Sequence, residues 1–176
     1  DVNPFILRRV LGPILPHLRR HSLVMVGKNG AGKTPLAEII CFAYARYWVN
    51  KDNVNATPSL RVAPDLDFFR GCPGNKYTPF IFDDGDADDI EVRKMKAFLD
   101  VGEDEAMTRE RWGASKFVKN QLRVLCDNEY DENAEPTFTA ADPLEFGVDV
   151  PLAIFFDILK PFFGKKSKPN ILAIFK

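Results

Sequence analysis

Cysteine is scarce in this chain. Cys41, Cys72 and Cys126 are the only three in 176 residues, they form no CxxC pair, and an odd number cannot all pair with one another. A disulfide scaffold is excluded, and a reducing compartment is expected: an intracellular protein, in the nucleus or cytoplasm of a host cell, not secreted. Histidine is scarcer still. His17 and His21 have no Cys, Asp or Glu at metal-ligand spacing around them, so they read as surface residues rather than as a zinc site. No apolar run reaches the roughly 18 to 20 residues of a membrane span, and no membrane partner is expected. Net charge is almost absent at −1, so a nucleic-acid partner must be met by a local basic patch rather than by the field of the whole molecule. There is no internal repeat and no low-complexity tract. The chain also lacks an initiator Met and opens on Asp1, as expected of a piece processed or excised from something longer.

What is present is the composition of an ordinary folded domain, with 45% apolar and 28% charged residues. Residues 1–20 carry Ile6, Leu7, Val10, Leu11, Ile14, Leu15 and Leu18 at helical spacing, broken by Pro13 and Pro16, which predicts a kinked lead-in helix. Leu23 to Val26 is a short apolar run ending at a glycine, the pattern of a buried strand. Leu36, Ile39, Ile40, Ala43 and Tyr47 then recur at helical spacing. The polar, proline-rich stretch from Lys51 to Gly74 holds a possible strand at Leu60 to Val62 and a possible short helix at Asp65 to Phe69. Phe80 to Phe82 and Leu122 to Cys126 predict two further buried strands. Between them, Asp88, Asp89 and Glu91 precede Arg93, Lys94 and Lys96, the charge order that complements a helix dipole. Residues 127–148 are acidic and loop-like, and 150–163 are apolar and Phe-rich, as in a packed helix. The chain thus divides into a lead-in helix at 1–20, a core at 21–130, and an acidic loop with a Phe-rich C-terminal segment at 131–176.

Gly27-Lys28-Asn29-Gly30-Ala31-Gly32-Lys33-Thr34 satisfies every fixed position of G-x-x-x-x-G-K-[ST]. Glycines let backbone N–H groups turn inward around phosphate oxygens, and the helix that follows adds its positive end. In that arrangement Lys33 reaches the β- and γ-phosphates of ATP, and the Thr34 hydroxyl ligates Mg²⁺. Pro35 falls in the first helical turn, where its missing N–H is no loss. Asp83 and Asp84 end the Phe80 to Phe82 strand. One carboxylate there suits Mg²⁺ and its neighbour the attacking water, and we assign Asp83 to the metal and Asp84 to the water. Asn128 ends the last strand, where an amide can donate to a γ-phosphate oxygen and accept from water at once.

Together, Gly27 to Thr34, Phe80 to Asp84, the basic stretch Thr108 to Lys119 and Leu122 to Asn128 resemble the Walker A, Walker B, B′ and sensor-1 motifs of superfamily 3 helicases. The likeness is to the helicase domains of Rep proteins of circular single-stranded DNA viruses and related mobile elements, over roughly residues 20–130. That resemblance implies an α/β fold, a P-loop NTPase core of AAA+ type with a central, mostly parallel sheet flanked by helices. It also implies an ATPase and DNA helicase, assembly into a homo-oligomeric ring, six subunits being the expectation, and movement along single-stranded DNA. Three features depart from the family. No basic residue stands between Asn128 and Lys160 to act on a neighbour's ATP, the histidines present, His17 and His21, fall on a predicted helix where a Rep nicking domain has paired histidines and a tyrosine, and residues 150–176 match nothing in the pattern.

Arg109, Arg111, Lys116 and Lys119 interleave with Trp112 and Phe117, the mixture of phosphate-neutralising cations and stacking rings used on single strands. In a superfamily 3 enzyme this stretch is the hairpin that enters the ring's channel. Two rivals remain at this level: a small-molecule kinase using the same phosphate cradle with Arg109 and Arg111 as a lid, and a non-catalytic assembly module of ATPase-like fold.

Overall fold

The computed structural model describes residues 4–72, 74–101, 105–110, 113–128, 131–134 and 150–175. Four parallel strands form the sheet: β1 (Leu23–Val26), β2 (Arg61–Ala63), β3 (Phe80–Phe82) and β6 (Arg123–Asp127), in the spatial order β1-β6-β3-β2. Val26 pairs with Asp127, Phe82 with Leu125 and Ala63 with Phe82, so all four strands point their C-terminal ends the same way. A parallel sheet must be covered on both faces, and β3 and β6 are buried along their whole length, apolar at Phe80 to Phe82 and at Val124 to Cys126. The expected strands at Leu60 to Val62 and Leu122 to Cys126 are present, each displaced by one residue.

Alternation along β3 and β6 divides the core. Ile81, Val124 and Cys126 face helix α1 (Lys33–Asp52), which contributes Ala37, Ile40, Cys41, Tyr44 and Trp48 at three- and four-residue spacings. Leu11 and Leu18 of the lead-in segment complete that layer. Pro13 and Pro16 deny this segment two backbone donors, and the chain answers with a π-helical turn at Leu7–Leu11, a single α-turn at Gly12–Ile14 and a 3₁₀ turn at His17–Arg19 in place of one helix.

On the other face, Phe80, Phe82 and Leu125 meet Met95, Phe98 and Leu99 of α2 (Val92–Leu99). Leu159 of α3 (Leu152–Leu159), Phe162 and Phe163 of the loop after it, and Ile171 and Ile174 of α4 (Lys168–Phe175) close the same core. The Phe-rich C-terminal segment is therefore part of the core. The helix expected over 150–163 stops at Leu159, and α4 was not anticipated.

Strands β4 (Glu105–Glu110) and β5 (Gly113–Val118) form a separate antiparallel hairpin between α2 and β6, with Glu105 opposite Val118 and Glu110 opposite Gly113. Phe117 ties it down. Its ring stands edge-on to Phe98 at 5.4 Å and to Phe80 at 6.2 Å, while Phe69 stacks on Phe80 at 4.3 Å. Arg123 is buried beneath the hairpin's end. Its guanidinium donates to the Val118 carbonyl at 3.4 Å and to the Asp100 carbonyl, and burial pulls its pKa down to about 10. Among the described residues no helix is long and apolar enough to cross a membrane.

Candidate functional site

The site lies where the C-terminal ends of β1, β6 and β3 stand side by side. From β1 the chain enters Gly27 to Gly32, an exposed loop in which Gly30 and Gly32 take φ of 77° and 79°, left-handed values that a side chain would oppose. Gly32 caps α1, and no acidic residue occupies the helix's first turn, so its positive end faces the loop uncompensated. The Lys33 ammonium reaches back across the loop and donates to the carbonyls of Gly27 at 2.7 Å and Lys28 at 2.9 Å. The Asn29 carboxamide oxygen accepts from the Gly30 N–H at 2.8 Å. Loop and lysine therefore hold one another in a ring whose exposed rim is backbone.

Thr34, one residue into the helix, donates its hydroxyl to Asp83 Oδ2 at 2.6 Å. Asp83 is 4% exposed, and its other oxygen, Oδ1, is buried with no hydrogen-bond partner. A buried carboxylate oxygen without a donor is costly, and an arriving cation removes the cost. Thr34 and Asp83 thus offer two oxygen ligands, the number that suits Mg²⁺ when phosphate oxygens and water complete its shell. Among the described residues, no group of three or more His, Cys, Asp or Glu is arranged to hold a metal unaided.

Asp84 differs from its neighbour in every respect. It is exposed, its backbone is left-handed at φ 61°, and its Oδ1 accepts from the Asn128 amide at 2.9 Å. The strand order accounts for that contact. Because β6 lies between β1 and β3, the residue after Asp127 emerges between the glycine loop and the acidic strand end. The turn needs the next residue to be glycine, since a Cβ on Gly85 would lie 2.2 Å from the Pro64 carbonyl oxygen. Cys126, just beneath, has its thiol pushed up to about 12 by burial and then by the Asp83 carboxylate, with Lys33 opposing.

Lys33, Thr34, Asp83, Asp84 and Asn128 are therefore brought together with Gly27 to Gly32. The basic stretch is not part of this cluster. Lys116 and Lys119 are exposed on the hairpin and the turn after it, and Arg109 stands opposite Ala114 in the ladder. Arg111 and Trp112 lie outside the described residues. Phe117 is a correction: it is fully buried, because alternation along β5 turns it to the core as it turns Lys116 to solvent, so it presents no face to a base.

Some of the site was not anticipated. Asp127 is completely buried at the end of β6, beside Val26 and the start of the glycine loop. The loop after Asp84 is gripped by two lysines of the C-terminal segment. Lys165 Nζ donates to Asp86 at 2.9 Å and Asp89 at 2.6 Å, and its backbone N–H donates to Asp88 at 2.6 Å. Lys166 Nζ donates to the carbonyls of Ala87, at 3.3 Å, and of Asp88. The only signal in the sequence was a lysine pair following a run of phenylalanines, which by itself reads as a solvated turn. Compared with known protein families, curated proteins and solved structures, the chain matches none.

Proposed function

We propose that this is the ATP-binding and ATP-hydrolysing domain of a Rep-like superfamily 3 DNA helicase, working on single-stranded DNA as a homo-oligomeric ring. The observation that carries the reading is the Thr34 to Asp83 pair at 2.6 Å beside the unpartnered Asp83 Oδ1, set at the mouth of a glycine loop that opens a helix. ATP phosphates lie against the loop's N–H groups and the α1 terminus, and Lys33 exchanges its two carbonyl partners for phosphate oxygens. Thr34 and Asp83 would hold Mg²⁺, which would supply positive charge against the phosphates when bound.

In hydrolysis, water attacks the γ-phosphorus in line with the bond to the β–γ bridging oxygen. That bond breaks, ADP leaves, and the proton of the water passes to Asp84. Asn128 fixes Asp84 through Oδ1, which leaves Oδ2 for the water, and the same amide would donate to a γ-phosphate oxygen and sense its loss. Lys116, Lys119 and Arg109 supply cations to the strand.

The test is phosphate release from ATP by the 176-residue chain, with and without single-stranded DNA, over a range of protein concentration. Stimulation by DNA with a steep dependence on concentration is expected. Phosphate transfer only when a small acceptor is added would make the domain a kinase. No hydrolysis at concentrations where rings form, DNA present, would make it an assembly module.

A further inference from the structure

The lead-in segment and the C-terminal half of α1 share a face that the ATP site does not use. From Val2 to Ala37 the sequence contains no acidic residue, while Arg8, Arg9, Arg19 and Arg20 all fall in it and are all exposed. In a chain of net charge −1 this is a strong local imbalance. The cations stand against aromatic rings. The Arg19 guanidinium lies 5.4 Å from the centroid of Tyr47, Lys51 lies 5.7 Å from Tyr47 and 4.6 Å from Trp48, and Lys76 lies 4.6 Å from Trp48 and 5.5 Å from Tyr77. One acid, Asp52, stands among them, paired with Lys76 at 2.6 Å. Beside Tyr47, which is 40% exposed, a groove of about 190 Å³ opens between Gly12, Leu15, Pro16, Arg19, Tyr44 and Tyr47.

From this juxtaposition we infer that the face formed by the lead-in segment and α1 is a second binding surface for single-stranded nucleic acid, with Tyr47 stacking a base at the groove and Arg19 and Lys51 taking the flanking phosphates. The ring–cation mixture is the one that binds single strands without reading their sequence, since every base offers a π face and every nucleotide a phosphate. The groove is tied to the turn after the hairpin: the Tyr44 hydroxyl donates to the carbonyl of Asn120 at 2.8 Å, next to the exposed Lys119. The inference rests on the nucleic-acid partner of the proposed function but not on ATP hydrolysis, and it places the contact on elements outside the motifs.

The experiment is fluorescence anisotropy of a labelled oligothymidylate of about 16 nucleotides, the upper range for one such site, titrated with the 176-residue chain over a series of salt concentrations. A duplex of the same length serves as the second probe. Tyr47→Ala is expected to weaken single-strand binding by roughly 5- to 150-fold, the range for one base–aromatic stack, with the salt slope unchanged and Tyr47→Phe restoring the affinity. Arg19→Ala with Lys51→Ala should flatten the slope of log affinity against log salt by about 1.4, at about 0.7 for each phosphate that is no longer neutralised. ATP affinity should not move in either variant.

If these variants bind like the parent while Lys116→Ala with Lys119→Ala loses affinity, the second surface is overturned and the hairpin reading stands. A parent that binds no oligothymidylate overturns both. Equal affinity for duplex and single strand overturns the stacking role of Tyr47. Loss of self-association in the variants with DNA affinity unchanged makes this face a contact between copies of the chain and overturns the inference.

Discussion

Asp83 and Asp84 are adjacent in sequence but differ in backbone conformation and exposure, and that difference underlies the separate roles proposed for them. Asp83 follows directly on β3, its N–H still donating to the Ala63 carbonyl at 3.0 Å, and is buried against Thr34. Asp84 turns left-handed into solvent under the hold of Asn128. Asp84→Asn should keep ATP bound and slow its hydrolysis, because an amide preserves the shape but accepts no proton. Single-turnover phosphate release beside equilibrium nucleotide binding checks both halves. Lys33→Ala should abolish tight Mg-ATP binding by removing the one full charge aimed into the loop, which calorimetric titration with ATP reads directly. Thiol chemistry offers an independent check of the sheet. Cys41 and Cys126 are fully buried with pKa values raised chiefly by burial, whereas Cys72 is partly exposed, so a thiol-specific reagent should label one cysteine per chain rapidly in the native state and the other two only on unfolding.

At the scale of elements, the hairpin separates what residue type announces from what position decides. Lys116 and Phe117 are neighbours, both suited to nucleic acid by their chemistry, yet the two-residue period of β5 sends one to solvent and the other edge-on into the rings of Phe69, Phe80 and Phe98. Phe117→Ala should therefore act on stability, costing about 3 to 5 kcal/mol in denaturant unfolding, as for other buried aromatics. The strands and the glycine loop were legible in the sequence because each rests on a local rule: an apolar run for a strand buried on both faces, glycine where φ is positive, proline where a helical donor is absent. α4 and the lysine pair were not, because they are set by contacts between residues nearly 80 positions apart, and no local pattern encodes which loop Lys165 will reach. That contact also titrates. Burial pushes the Asp86 carboxyl up, but the Lys165 hydrogen bond and the N–H groups of Asp88 and Asp89 outweigh it, so its folded pKa lies below the ordinary value. A depressed carboxylate contributes stability above its unfolded pKa of about 3.9, lost as pH falls through the folded value. Melting temperature should fall as the pH drops below about 4 in the parent, and Lys165→Ala should blunt that fall.

At the scale of the whole molecule, the C-terminal segment is not an appendage, since Leu159, Phe162, Phe163, Ile171 and Ile174 share a core with β3 and α2. Ending the chain at residue 150 should leave that face of the sheet bare and the protein insoluble, which partition between soluble and pelleted fractions after expression would report. The position of β6 has a further consequence in time. β1 has β6 as its one neighbour among the described strands, and the pairing joins Leu23 to Val124 across about a hundred residues. During synthesis the strand that carries the glycine loop therefore waits, complete in sequence but without a partner, until β6, about a hundred residues later, has left the ribosome. Contacts of such separation make folding slow, and the unpaired edges of β1 and β3 stay open to other chains for as long as β6 is missing. The glycine loop is thus written early and assembled late, because the strand that leads into it is paired only once β6 has closed the sheet.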